Sequence, residues 1–153
     1  MKAKKNCKIG WRRKMKLLLE NWRQYMNEVV VPPSGFLEGS VIKDTLYHAS
    51  DYKMEAGDKL DPRNGGEFGI YLSPNRKYAR RYGNYLYYVL ANIKNPKVVE
   101  GKYEISPKDL TEEDVSKLKE EGYDGIVVTS GGIGDASEIV AFDPEQVHIM
   151  DVR

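Results

Sequence analysis

Apolar residues recur at Trp11, Met15, Leu18, Leu19, Trp22, Met26 and Val29, the spacing of one face of an amphipathic helix. Pro32-Pro33 ends that pattern, because proline lacks the amide and biases the residue before it away from helix. Residues Ser34 to Ser40, with two glycines, read as a linker, and from Val41 the pattern switches to short strands. Strands are predicted ending at Leu46 to His48, over Gly69 to Ser73, and over Tyr85 to Ile93, which Asn95-Pro96 turns. Between them, Ser73 as N-cap and Pro74 at the first helical position predict a helix to Tyr82. Thr111 to Asp114 is a capping-box-like start for a helix that Gly122 ends, and Asp124 to Thr129 reads as a buried strand. A glycine-rich loop from Ser130 to Asp135 leads to strands at Glu138 to Phe142 and Gln146 to Val152. Many short strands, few helices and no regular βαβ alternation make the fold class α+β.

Length and composition narrow this to one ordinary domain. A chain of 153 residues can bury roughly two-thirds of its unfolded surface. Charged residues at 31% and hydrophobic ones at 41% are those of a soluble globular protein, and no apolar run approaches the roughly 18 residues of a membrane span. Cys7 is the single cysteine, which excludes an internal disulfide and a cysteine-based zinc site and favours a reducing compartment. The only apolar run behind the basic amino terminus is Leu17-Leu18-Leu19, too short for a secretory signal, so a cytoplasmic location is expected. The charge is unevenly placed. Residues 1–33 hold nine Lys or Arg against Glu20 and Glu28, a balance of +7, while the other 120 residues hold 15 basic and 21 acidic side chains, or −6. A basic helix and linker over residues 1–40 on an acidic body over 41–153 prompts an acidic or nucleic-acid partner, or a solvated arm folding back on its own domain.

Four places carry candidate chemistry. His48 is followed by the small residues Ala49 and Ser50, past which a flat polar ligand could approach the backbone. Gly69-Ile70-Tyr71-Leu72-Ser73 places a ring just past a glycine, and Tyr82 follows Tyr71 by eleven residues; six of the eleven tyrosines lie between Tyr71 and Tyr88. Two aromatics from one strand and its following helix can wall a slot for a positively charged ring. Glu138 opens the apolar run Ile139-Val140-Ala141-Phe142, and a carboxylate there can stabilise the oxocarbenium ion formed when a glycosidic bond breaks. Each also has an ordinary reading: a structural histidine, a core tyrosine, helix packing, a solvated strand end.

The ordered set Tyr47-His48-Ala49-Ser50, Gly69 to Ser73 with Tyr82, and Ser137 to Asp143 with Gln146-Val147 resembles ADP-ribosyltransferases of the His-Tyr-Glu type, including the poly(ADP-ribose) polymerase core. The likeness is nearest to the compact transferase domains of phage polyvalent proteins and bacterial toxins, in which Gly-Tyr-Asp-Gly-Ile-Val (Gly122 to Val127) and Phe-Asp-Pro-x-Gln-Val (Phe142 to Val147) also recur. It spans about residues 44–150. Two positions depart from the polymerases: Ala49 replaces the usual glycine and Ala79 a serine that contacts the nicotinamide amide.

This resemblance implies two small antiparallel-rich sheets around a cleft for NAD, which serves as substrate without a metal. It implies His48, Tyr71 and Glu138 as catalytic residues, and His48, Ala49, Ser50, Gly69, Tyr71, Ser73 and Tyr82 as the NAD-binding set. His48 would bond a ribose hydroxyl, Tyr71 and Tyr82 would sandwich the nicotinamide, and Glu138 would hold the 2′-hydroxyl and support the ribosyl cation. Ala136 stands where arginine-modifying transferases carry a second Glu or Gln, so a different macromolecular acceptor, or water, is expected, approaching along residues 130–137. The expected activity is mono-ADP-ribosylation by a phage- or toxin-like effector, away from membranes. The alternatives are an RNA 2′-phosphotransferase of the same superfamily, or an inactive NAD or ADP-ribose binding module.

Overall fold

The computed structural model describes residues 15, 18–20, 31–64, 67–100, 110–130 and 136–153. The amphipathic helix read over residues 11–30 lies outside them, apart from Met15 and Leu18 to Glu20, which are helical. In chain order the elements are β1 (Leu46–Ser50), β2 (Arg63–Asn64), β3 (Glu67–Phe68), β4 (Ile70–Leu72), α1 (Arg76–Ala79) with a 3-10 turn (Arg80–Tyr82), and β5 (Tyr85–Ala91). They continue with β6 (Pro96–Glu100), α2 (Glu112–Glu120), β7 (Gly125–Thr129), β8 (Ala136–Ala141), a 3-10 turn (Pro144–Gln146) and β9 (Val147–Val152).

Two sheets result, one ordered β1-β5-β9 and the other β4-β8-β7-β6, with β2 and β3 forming a separate ribbon. Among the described residues every strand pairing is antiparallel except β6 with β7, between which α2 lies in the chain as a βαβ unit. Strand alternation sorts the side chains into layers. Leu46, Tyr87, Val89 and Ala91 of the first sheet share a buried core with Ile70, Leu72, Ile139 and Ala141 of the second. On its other side the second sheet sends Ile126, Val128, Val140 and Phe142 against Val115 and Leu118 of α2. The outer face of the first sheet, at Ala49 and Leu86, is covered by Ala79 of α1.

Both helices start as local chemistry dictates, one of them at a different residue from that predicted. Thr111 and Asp114 form a reciprocal capping box, and the αL-type Gly122, with φ +93°, follows the end of α2. For α1 the cap is Asn75, not Ser73: its side chain accepts from the amides of Lys77 (3.0 Å) and Tyr78 (3.1 Å). Ser73 takes the amide of Asn75 at 3.0 Å, one step earlier. The stretch read as a linker folds as turns, and Ser40 at its end is buried, its hydroxyl 2.7 Å from the carbonyl of Ile42 and 3.1 Å from the amide of Ile93.

Candidate active site

The two sheets meet edge to edge at one point. The amide of Tyr47 on β1 donates to the carbonyl of Ser73 (2.8 Å), and the amide of Ser73 returns a bond to Tyr47 (2.9 Å). Because backbone groups alternate from side to side along a strand, those of Ala49 and Tyr71, each two residues away, also face this seam. The ladder does not continue there. Instead the imidazole of His48 crosses the gap, its Nδ1 2.8 Å from the carbonyl oxygen of Tyr71.

That contact fixes the tautomer. A carbonyl oxygen only accepts, so Nδ1 carries the proton and Nε2 is left with a lone pair. Burial pushes the His48 pKa below its ordinary value of 6.5, against the smaller upward pull of the Tyr71 carbonyl. The neutral ring is therefore an acceptor for a hydroxyl. His48 lies mid-strand rather than at a strand end, opposite Tyr87, whose ring centroid is 6.0 Å from its own.

Sequence reasoning passed over Tyr87. Its ring is fully buried behind His48, and its hydroxyl accepts from the amide of Met54 at 3.0 Å and donates to the carbonyl of Tyr52. Burial raises its pKa, so it stays a protonated clamp on the segment that follows β1. The signal was available in the Tyr85-Leu86-Tyr87-Tyr88 alternation, which puts Tyr87 on the inner face.

Tyr71 is placed by a glycine that has no substitute. Gly69 has φ +124°, and a Cβ there would stand 2.6 Å from Cγ1 of Val140, so only glycine lets β4 lie this close to β8. Tyr71 pairs with Val140, putting both side chains on the face toward α2. Glu138, two residues before Val140 and half-buried, shares that face and is the diagonal neighbour of Tyr71. Glu138 is the third residue of β8, not its first.

A bulge precedes Glu138. Glu138 pairs with Val128 while Ala136 pairs with the next residue, Thr129, leaving Ser137 as the extra residue. Ser137 Oγ donates to the Val128 carbonyl at 3.2 Å and holds the kink. Such irregularities re-aim the adjoining side chain. The acceptor-side loop read over residues 130–137 lies outside the described residues from 131 to 135.

Tyr82 sits apart from this group, on the turn after α1. It is 57% exposed, and its ring partner is Tyr78, at a centroid distance of 5.4 Å with the hydroxyls 2.8 Å apart. Gly83 brings it to the mouth of β1, since any Cβ at Gly83 would meet the main-chain carbon of Ser50 at 2.3 Å. His48, Tyr71, Ser73, Ala49 and Glu138 thus gather along the seam and the β4–β8 face, with Ser50 and Tyr82 at the rim. Among the described residues, no group of three or more His, Cys, Asp or Glu is placed to hold a metal ion, and no helix is long and apolar enough to cross a membrane.

A family model described as ADP-ribosyltransferase in polyvalent proteins matches residues 38–151, three quarters of the chain, including both strands of the seam and Glu138. The chain belongs to this family. No curated protein sequence matches it. An ADP-ribosyltransferase domain is a transferase, and the family uses NAD as its substrate. His48, Tyr71 and Glu138 come in this chain order from β1, β4 and β8, all inside the matched residues.

The His48 tautomer makes a first prediction. If His48 Nε2 accepts a substrate hydroxyl, the acid limb of NAD cleavage should be centred below 6.5, because protonation turns Nε2 from acceptor into donor. An acid limb in kcat/KM centred at or above 6.5 contradicts this assignment. Stability follows the same sign: a folded-state pKa held below the unfolded value contributes stability that is full above 6.5 and is lost as pH falls through the depressed value.

Proposed function

We propose that the chain is a mono-ADP-ribosyltransferase that cleaves NAD at the nicotinamide–ribose bond and transfers one ADP-ribose to a macromolecular acceptor, as a phage- or toxin-like effector. The observation that carries this reading is the His48 bridge to the Tyr71 carbonyl at 2.8 Å, which fixes a hydroxyl acceptor at the seam beside Tyr71 and its neighbour Glu138. The backbone amide and carbonyl of Ala49, facing the same seam, are a donor–acceptor pair suited to a carboxamide; a side chain there is needed neither for this nor for packing beyond the methyl group.

In this reading His48 Nε2 accepts from a ribose hydroxyl and orients the sugar. Tyr71 and Tyr82 hold the nicotinamide ring by stacking, with Ser50, Gly69 and Ser73 shaping the backbone around it. When the C–N bond breaks, its electron pair leaves with nicotinamide and positive charge develops on the ribose. Glu138 holds the 2′-hydroxyl and stabilises that charge as it forms. An acceptor nucleophile then closes on C1 and loses its proton. Ala136 offers no second polar side chain before Glu138, which favours an acceptor other than arginine.

The test is incubation with NAD labelled on the adenylate, alone and with cell-extract protein or nucleic acid. Label that becomes covalently attached to a macromolecule, with stoichiometric release of nicotinamide, is the expected result. Removal of phosphate from a 2′-phosphorylated RNA identifies the phosphotransferase instead, and binding without nicotinamide release identifies an inactive module.

Stacking by Tyr82 makes a second prediction. Tyr82→Ala should weaken NAD binding by about 1 kcal/mol, roughly fivefold, beyond the loss of contact area. Tyr82→Phe should bind nearly as the parent, since it gives up only the hydroxyl bond to Tyr78, which is solvent-exposed. Equal damage from both, measured by titration calorimetry, would show that the hydroxyl rather than the ring is used.

A further inference from the structure

From Phe68 to Val99 the chain holds no Asp or Glu, although at its overall frequency of 23 in 153 a stretch of this length would hold about five. Within that stretch Arg76, Lys77, Arg80 and Arg81 fall inside six positions, on a body whose remaining charge is negative. The fold puts them together on α1 and the turn after it, over the outer face of the first sheet. This is the face opposite His48, because Tyr47, Ala49, Leu86 and Tyr88 point outward where His48 and Tyr87 point inward.

The three arginines are ordered by aromatic rings and main chain rather than by carboxylates. Among the described residues, none of the four forms an ion pair; the salt bridges join Lys59 to Glu145, Arg63 to Glu112, Lys119 to Asp143 and Arg153 to Asp151. Arg76 stands over the Tyr88 ring at 5.8 Å and Arg81 over the Tyr78 ring at 5.9 Å, while Arg80 donates to the main-chain oxygen of Arg153 at 3.1 Å. Each guanidinium is thereby held with donors left over, beside the exposed rings of Tyr78 (38%) and Tyr82 (57%). We infer that this face binds single-stranded nucleic acid, its cations taking phosphates and its exposed tyrosines stacking bases. Charge alone would suit an acidic peptide equally, but unpaired bases are what exposed rings interleaved with arginines are built to receive. The cations Arg76, Lys77, Arg80 and Arg81 take no part in the proposed NAD cleavage; Tyr82 alone belongs to both readings, as it also rims the proposed nicotinamide slot.

The experiment is fluorescence anisotropy of the full chain with labelled single-stranded DNA and RNA of mixed sequence, over a salt series, with nicotinamide release from NAD followed in the same samples. Reversing Lys77→Glu and Arg81→Glu should weaken binding about tenfold or more at low salt and flatten the salt slope by about 1.4, two contacts at about 0.7 each. Arg12→Glu with Arg13→Glu, an equal charge change in the basic amino-terminal segment, should weaken it far less. The milder pair Lys77→Gln and Arg81→Gln serves if the reversal fails to fold, with the same loss of slope. Binding of the patch variant within threefold of the parent, an equal loss in the amino-terminal control, duplex bound as tightly as single strand, or displacement of the strand by polyglutamate as readily as by oligonucleotide each overturns the proposal. Retained nicotinamide release in a variant that has lost the strand separates this site from the cleft; a parent that releases none, yet binds the strand, removes the transferase reading and leaves this one standing.

Discussion

Replacing Glu138 by glutamine is expected to lower ADP-ribose transfer by about 100- to 1,000-fold, the usual loss for one preorganised electrostatic contact to a developing charge. The substitution keeps the shape of a half-buried side chain in the third position of β8, opposite Val128, and removes only its charge. The strand itself should be indifferent to the change, because Ile139, Val140 and Ala141 beyond it are fully buried and the bulge at Ser137 is held by its own bond to Val128. Melting temperature and far-UV circular dichroism should therefore match the parent while nicotinamide release and acceptor labelling collapse together. A folded Glu138→Gln protein working within threefold of the parent would remove Glu138 from the chemistry.

The sequence made strands and helix ends legible where local rules decide the outcome. The all-buried strand Gly125–Thr129, the capping box at Thr111 and Asp114, and the positive-φ glycine after α2 are each set within a few residues, so periodicity and cap chemistry find them. Boundaries were less legible because pairing, not propensity, sets them. β1 runs on to Ser50 since Ala49 and Ser50 find partners in Leu86 and Tyr85, and β8 starts at Ala136 since Thr129 is there to receive it. The cap of α1 passed from Ser73 to Asn75 because the bridge to Tyr47 already takes the Ser73 backbone into the seam.

What no single-sequence pattern could show is which strands become neighbours. The order β4-β8-β7-β6 brings Tyr71 beside Val140, sixty-nine positions along the chain, and the Tyr47–Ser73 bridge joins two sheets at one residue pair. The ordered His-Tyr-Glu motifs pointed to the family without this geometry. They did not reveal Tyr87 behind His48, or Ser40 fastened to the β5 end through Ile93, because both act through partners about thirty-five to fifty-three positions away. The same is true of the glycines: Gly69 stood out beside Tyr71, whereas Gly83 followed a tyrosine-rich run with nothing local to mark it.

Gly83→Ala should be the most damaging single methyl group added near the site. Its φ of 175° is ordinary extended backbone, so the cost is not conformational strain at Gly83 itself. It is steric, and it falls on main chain: the new Cβ would lie 2.3 Å from the carbonyl carbon and 2.5 Å from the Cα and nitrogen of Ser50. No side-chain rotation relieves a clash with backbone, so either the end of β1 or the turn carrying Tyr82 must move. Both are tethered, β1 by the pairing of Ser50 with Tyr85, the turn by Asn84 bonds to Asp51 at 3.1 and 2.9 Å. Overpacking of this kind costs about 1–3 kcal/mol, and in a chain of this size each kcal/mol lowers Tm by about 2–4 °C. Because Ser50 and Tyr82 form the rim of the proposed nicotinamide site, the KM for NAD should rise in the same variant, more than in Tyr82→Phe. A Gly83→Ala protein with unchanged Tm and unchanged KM would mean that β1 and the Tyr82 turn do not meet as described, and that Tyr82 is not held at the mouth of the seam.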